Sequence, residues 1–373
     1  MATDTWFTVT YRISGTADEA RARADDLRYE QTVEYPTDLT PETIAESIVG
    51  RVVAITAQPG GGHQVTIAFP AETTSHELTQ LLNVMFGNTS IKPGVRISRF
   101  DLSPEMLARY RGPRFGRPGL RRLLGAPTRP LLCTALKPMG LSVDELAARA
   151  RQCALGGIDI IKDDHGLADQ AFSPFEARVR ACAAAVQEAN ARTGLRCVYM
   201  PNVTAPYGRI VERARFAKTH GAGALLISPG LTGFDAARAL ADDDALDLPL
   251  MSHPALLGSF TTSHESGIAP FALYGQLNRL AGIDAVVFPG WGGRFAFTRD
   301  DCVDIARGTA ESMGALAPSF PTPGGGIRRE RLEEMLALFG RDVIFLIGGD
   351  LHRAGPDLAD SGRRLRDWVE QHG

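Results

Sequence analysis

From Leu131 onward the chain repeats one pattern: apolar runs of four to seven residues alternating with amphipathic segments of ten or more. The runs are LLCTALKP, IDIIKDD, CVYMPNV, ALLISP, LPLMSHP, AVVFPG, SFPTPGGG and VIFLIGGD. Segments such as SVDELAARARQCA, PFEARVRACAAAVQEAN and RRERLEEMLALF lie between them with helical spacing. Eight strand–helix units in about 240 residues match the ~250 of a (β/α)8 TIM barrel better than a doubly wound open sheet, which seldom needs eight evenly spaced units. The first ~100 residues differ, because strand-like alternation (TWFTVTYRI, RVVAITA, HQVTIAF) is interleaved with helical stretches (ADEARARADDL, SHELTQLLNVMF), which predicts a small α+β domain. An Arg/Gly/Pro-rich stretch, RYRGPRFGRPGLRRLLGAPTRP, reads as an irregular connector. The expected division is therefore residues 1–125 and 126–373.

Composition excludes several functions. Forty basic against 43 acidic residues give a net charge of −3 and no electrostatic case for nucleic acid or an acidic membrane surface. No apolar stretch approaches the ~20 residues of a membrane span, and the start MATDTWFTVT lacks the form of a signal peptide, so a cytoplasmic protein is expected. Five cysteines without a CxxC pair argue for small buried side chains rather than disulfides or a thiolate zinc site.

Active-site residues of a barrel project from the C-terminal ends of its strands. That rule selects Lys137, the run Lys162-Asp163-Asp164-His165, Asn202 and His253, with Gly324, Gly325, Gly326, Gly348 and Gly349 ending the last two strands. Alternation puts Lys162 and Asp164 on one face of their strand and Asp163 and His165 on the other until the loop begins. A carboxylate and a further ligand beside a lysine suit a divalent metal, while a solvated loop with a Lys–Asp ion pair explains the same residues equally well. Lys137 suits a general base if partly desolvated, or a simple ion pair. His253 is open between a structural and a catalytic role, and His352 stays open as well. Glycines make tight turns anywhere, but two runs ending consecutive strands favour phosphate binding through backbone N–H groups.

CTALKPMGLS, GGIDIIKDDH, His253, GGGI at 324–327 and IGGD at 347–350 together resemble the large subunit of ribulose-bisphosphate carboxylase, and more closely the RuBisCO-like proteins of form IV. YEQTVEYP around Glu30 and MFGNTS around Asn88 extend the resemblance over nearly the whole chain. The resemblance implies a ferredoxin-like α+β domain before the barrel, and a homodimer whose active sites are shared between subunits. By it Lys137 is the base, and Lys162, able to become a carbamate, binds Mg2+ with Asp164. Glu30 and Asn88 come from the partner, His253 assists proton transfer, and the glycines hold a phosphate. Asn202 and Arg294 are expected near the substrate.

The departures from the family pattern bear on function. His165 stands where the carboxylases have a metal-binding glutamate, so it either favours a more borderline ion such as Mn2+ or serves in acid–base work. Pro254 and Phe288 replace residues of the second phosphate site, and the loop GWGGRFAF lacks the lysine that steadies CO2. CO2 fixation is therefore not expected. The resemblance implies an enediolate-forming enzyme acting on a sugar or sugar-acid monophosphate. The first reading is a decarboxylase or transcarboxylase/hydrolase of 3-oxo-isoapionate 4-phosphate. The alternatives are an enolase or isomerase of a methylthio-sugar phosphate, or a non-catalytic sugar-phosphate-binding paralogue.

Overall fold

Alternation in TWFTVTYRI produces the first strand, β1 (Trp6–Ile13), whose Phe7, Val9, Tyr11 and Ile13 are buried. The computed structural model describes residues 5–373. β2 (Arg51–Ala57), β3 (His63–Pro70) and β4 (Val95–Asp101) complete an antiparallel sheet in the order β4-β1-β3-β2. The helix Ala17–Glu30 joins β1 to β2, its first turn closed by a reciprocal Thr16/Glu19 capping box, and Leu78–Phe86 lies between β3 and β4. This strand order and connectivity have the ferredoxin-like form expected of the α+β unit.

The connector departs from expectation. Instead of irregular chain it contains the helix Gly116–Leu124. The arginines of this connector are engaged: Arg117 and Arg121 reach Asp342, and Arg121 also donates to the Ala126 and Arg129 carbonyls.

Eight short parallel strands follow the helix: β5 (Leu131–Leu136), β6 (Ile160–Asp163), β7 (Val198–Met200), β8 (Leu225–Ile227), β9 (Leu250–Ser252) and, after the two-residue β10 (Gly267–Ile268), β11 (Ala285–Pro289), β12 (Phe320–Gly324) and β13 (Ile344–Leu346). They form two four-stranded sheets, β13-β5-β6-β7 and β12-β11-β9-β8. The last strand pairs with the first of the eight, Ile344 opposite Leu131. At one junction of the sheets Asn202 bridges to Leu226. At the other, a Cβ on Gly324 would come within 2.9 Å of the Leu346 side chain. Alternate residues separate into two buried groups. Leu131, Cys133, Ile160, Met200, Leu226, Met251, Val287, Phe320 and Ile344 form one cluster, while Leu132, Ile161, Tyr199, Leu225, Val286 and Phe345 pack with the helices. All five cysteines are free and buried, as expected. Among the described residues no helix is long and apolar enough to cross a membrane.

Two features lie outside the sequence pattern. β10 runs parallel to β4, with Gly267 opposite Arg96, so the loop after β9 becomes an outer strand of the N-terminal sheet. The segment PFALYGQLNRL, whose apolar spacing is that of an ordinary helix, winds as a buried π-helix over Phe271–Leu277. Within it, Gln276 accepts from Phe100 N (3.0 Å) and donates to Phe100 O (2.6 Å) as a neighbouring strand would.

At the start of β11 the buried Asp284 holds three elements at once: Phe115 N (2.8 Å), Gly116 N (2.7 Å) and Leu250 N (2.9 Å) all donate to it. Burial pushes its carboxyl up to about 6 against the opposing pull of those donors. Asp284→Asn turns an NH2 group toward one of the N–H donors, and is expected to cost about 1–3 kcal/mol in urea unfolding. Because the folded-state pKa is raised, the carboxyl stabilises the fold most at low pH and loses that contribution as pH rises through about 6. The stability gap between wild type and D284N should therefore narrow from pH 4.5 to pH 7.5. A gap that widens would contradict this assignment.

Candidate active site

β6 presents its side chains as alternation requires. Ile160 and Lys162 face the enclosed side with Cys133, while Ile161 and Asp163 face the helices. Lys162 is only 2% exposed, and its Nζ makes one hydrogen bond, to the Asp163 carbonyl (3.0 Å). Burial pushes its pKa down, favouring the neutral amine. Asp163 takes no part in the cluster. Its carboxylate accepts from Arg178 Nε (3.1 Å), Tyr199 OH (2.7 Å) and Asn202 N (3.1 Å) on the helix side.

Four side chains converge beyond the strand ends. Lys137 Nζ lies 2.7 Å from Asp164 Oδ1, and His165 Nδ1 lies 3.3 Å from the same oxygen. The His165 ring stacks on His253, with centroids 4.1 Å apart and planes 8° from parallel. His165 was expected on the Asp163 side, but the chain leaves strand geometry at Asp164 and the imidazole returns to the cluster. Burial raises the Asp164 carboxyl, yet hydrogen bonds from His165 and Lys137 and the charge of Lys162 outweigh it and hold the group below the ordinary carboxylate range. Burial, with the charges of Lys162 and His165, pushes His253 down to about 2, so it stays neutral. Ala255 N donates to His253 Nδ1 (3.2 Å), which leaves the ring proton on Nε2.

The glycine turns border the same end. Gly325 (φ +79°) and Gly326 (φ +123°) occupy backbone conformations that side chains resist. A Cβ at Gly348 or Gly349 would meet nothing within 4 Å. Among the described residues no acceptor takes the N–H of Gly325, Gly326, Gly348 or Gly349, whereas Gly324 and Gly325 accept through their carbonyls from Gly290 (2.9 Å) and Arg294 (3.3 Å). Arg294 thus sits beside the glycine turn through its backbone, with its guanidinium over Phe295.

Two expectations change. Asn202 is 1% exposed, and its Nδ2 donates to the His165 and Leu167 carbonyls (3.0 Å each), so its side chain holds the loop where a substrate contact was expected. Phe288 does not shape the far end of the site: it is fully buried on the helix side against Phe339, because the enclosed face of β11 carries Ala285 and Val287. Glu30 and Asn88 bond to each other (3.0 Å) and to Lys92 (Glu30–Lys92, 3.0 Å), beside a polar cleft of about 260 Å³ lined only by N-terminal residues. Their hydrogen bonds do not reach the strand-end cluster of the same chain. His352 is half-buried against Arg149 (3.2 Å), with burial and the charges of Arg149 and Lys137 lowering its pKa. Sequence reasoning missed Arg178 and Tyr199. The signal for Arg178 was an arginine on the apolar face of PFEARVRACAAAV.

The donor chemistry tests the expected metal. Asp164 offers carboxylate oxygen and His165 a ring nitrogen, but Lys162 as an amine is no ligand for a hard ion. Among the described residues no three His, Cys, Asp or Glu side chains converge to hold one. The residues fit a divalent ion once Lys162 supplies oxygen, and its buried amine, favoured in the nucleophilic form, has the chemistry for that.

Comparison with known proteins identifies the family. Residues 117–357 match the family model for the ribulose bisphosphate carboxylase large chain, catalytic domain. A 5-methylthioribulose-1-phosphate isomerase of Rhodospirillum rubrum is 40% identical over 353 residues, covering 94% of this chain and 92% of the relative. A 2,3-diketo-5-methylthiopentyl-1-phosphate enolase of Geobacillus thermodenitrificans is 36% identical over 322 residues, 83% of this chain and 78% of the relative. The crystal structure of a Rubisco-like protein from Rhodopseudomonas palustris superposes with a TM-score of 0.90 at 39% identity, over 100% of this chain and 99% of that one. The chain belongs to the ribulose-bisphosphate carboxylase large-chain family, as an enzyme among its RuBisCO-like proteins.

Proposed function

We propose that this enzyme moves a proton next to the carbonyl of a methylthio-sugar phosphate, as an isomerase acting through an enediolate, without fixing CO2. The observation that carries the reading is the arrangement of Lys137, Asp164, His165 and the neutral His253 at the strand ends that also bear the four unengaged glycine amides. The relatives' names favour proton transfer over the decarboxylase or transcarboxylase/hydrolase reading that KDDH first suggested.

Lys137, 41% exposed, acts as the neutral amine: it takes the proton from the carbon beside the ketone, becoming the ammonium that pairs with Asp164, and then returns that proton to a neighbouring carbon, so no atom is gained or lost. His253 donates from Nε2 to the developing oxyanion while remaining neutral. The glycine N–H groups orient the single phosphate, with Arg294 beside them. A divalent ion, Mg2+ or Mn2+, would be held by Lys162 as its carbamate, by Asp164 and by His165, and when bound would polarise the ketone and its adjacent hydroxyl.

The eight strands are proposed to close as a (β/α)8 barrel over residues 126–373, after an N-terminal unit of residues 1–125. The first-to-last pairing and the two sheet junctions support this. Glu30 and Asn88 are proposed to complete a partner's site in a homodimer, consistent with their separate cleft.

The test is incubation with 5-methylthioribulose 1-phosphate and Mg2+ or Mn2+ in deuterated water. Isomerised product is expected, with solvent deuterium either incorporated or excluded at one defined carbon. Release of CO2 from 3-oxo-isoapionate 4-phosphate, without isomerisation of the methylthio substrate, would replace this reading with the decarboxylase.

A further inference from the structure

The loop from Asp164 to Pro174 carries two members of the cluster, yet it is held from its outer side. Asn202 Nδ2 donates to the His165 and Leu167 carbonyls (3.0 Å each). Arg178, with no exposed side-chain surface, donates to Ala168 O (2.7 Å) and Ser173 O (2.5 Å). Both are tied to one anchor, since Asp163 accepts from Arg178 Nε and from the Asn202 backbone N–H, and Tyr199 OH occupies its other oxygen. Asn202 Oδ1 accepts in turn from Thr204 N (3.2 Å), so both ends of the amide are engaged.

We propose that Asn202 is a positioning residue: by gripping the His165 carbonyl it fixes the turn that brings the imidazole back to Asp164 and onto His253. Three facts carry this. The His165 side chain is 46% exposed, so packing alone does not lock it. Its ring is nonetheless aligned within 8° of His253. The polar grip on the His165 backbone comes from one amide, whose two hydrogens are spent on carbonyls two residues apart in the loop. Asp163 completes the device. Its outward bonds hold the strand end so that Lys162 and Asp164, on either side of it, face the opposite way.

Only the kinetic arm of the test rests on the proton-transfer reading. In substrate-free, metal-free protein labelled with 13Cε1-histidine, the His165 and His253 signals are assigned through H165Q and H253Q. Asn202→Leu removes both donors at similar volume, Asn202→Asp replaces them with oxygens facing the two carbonyls, and Tyr199→Phe removes one bond from Asp163. The His165 signal is expected to move in each, least in Y199F, while His63 and His372, on other elements, keep theirs. Turnover by the two Asn202 variants should fall by roughly tenfold to a hundredfold, with KM within about threefold of wild type. A stationary His165 signal in whichever of the three variants folds overturns the proposal. So does a raised KM with unchanged kcat, which would make Asn202 a substrate contact. If the wild type does not turn over the methylthio substrate, the proton-transfer reading fails while the NMR result still decides the role of Asn202.

Discussion

Lys137→Met is expected to lower kcat by about 10²–10⁴-fold while leaving the fold intact. The lysine is partly exposed at a strand end, and its Nζ pairs with a single carboxylate, Asp164, at 2.7 Å. Methionine keeps most of the chain length and loses the proton acceptor. Asp164 retains His165 at 3.3 Å, so the carboxylate is not left without a partner, and the urea midpoint should stay close to that of wild type. The proposed phosphate contacts are backbone N–H groups that Lys137 does not supply, so KM should change far less than kcat. Turnover within threefold of wild type would move the base elsewhere, and His165 would be the next residue to test.

The largest loss of stability is expected from Arg178→Met. Arg178 and Asp163 are both without exposed side-chain surface and lie 3.1 Å apart. Removing the cation leaves a carboxylate sealed from water with only Tyr199 OH and one backbone N–H, which should cost about 3–5 kcal/mol. Urea unfolding followed by circular dichroism reads the loss directly. Because much of that penalty is the stranded charge, the double variant Arg178→Met/Asp163→Leu should recover a substantial part of it. A double variant no more stable than the single one would show that the carbonyl contacts to Ala168 and Ser173, and not the ion pair, carry the stability.

The parts of the site that could be read from the sequence were those fixed by period and position. Lys162 and Asp164 follow from two-residue alternation in IIKDD, and Lys137 and His253 from their places just past apolar runs. The failures have physical causes. In AVVFPG every residue is apolar, so the run carries no alternation to say which side chains face inward, and Phe288 was placed on the wrong side. Asn202 looked exposed to ligand because its strand end does face the site, while the acceptors that capture it are backbone carbonyls of another loop, invisible in composition. The helix Gly116–Leu124 was hidden by its glycines and proline, and it is stabilised by Asp284 and Asp342, more than 150 residues away in the chain. Alternation alone could not give the side that His165 takes, because the point where a strand gives way to a loop is not encoded by period.

The two-residue strand β10 has a consequence for how this protein can be recombined. Gly267–Ile268 extends the N-terminal sheet from within the second half of the chain, and Gln276 pairs with the Phe100 backbone a few residues later. A chimera cut at residue 125 would keep both of these while replacing the strand they were shaped to meet. A donor N-terminal unit must therefore offer a β4 edge in matching register, or bring its own segment 263–280 with it. The natural seam for exchange is discontinuous, which makes grafting a new N-terminal unit onto the parallel-stranded part of this chain a two-segment operation.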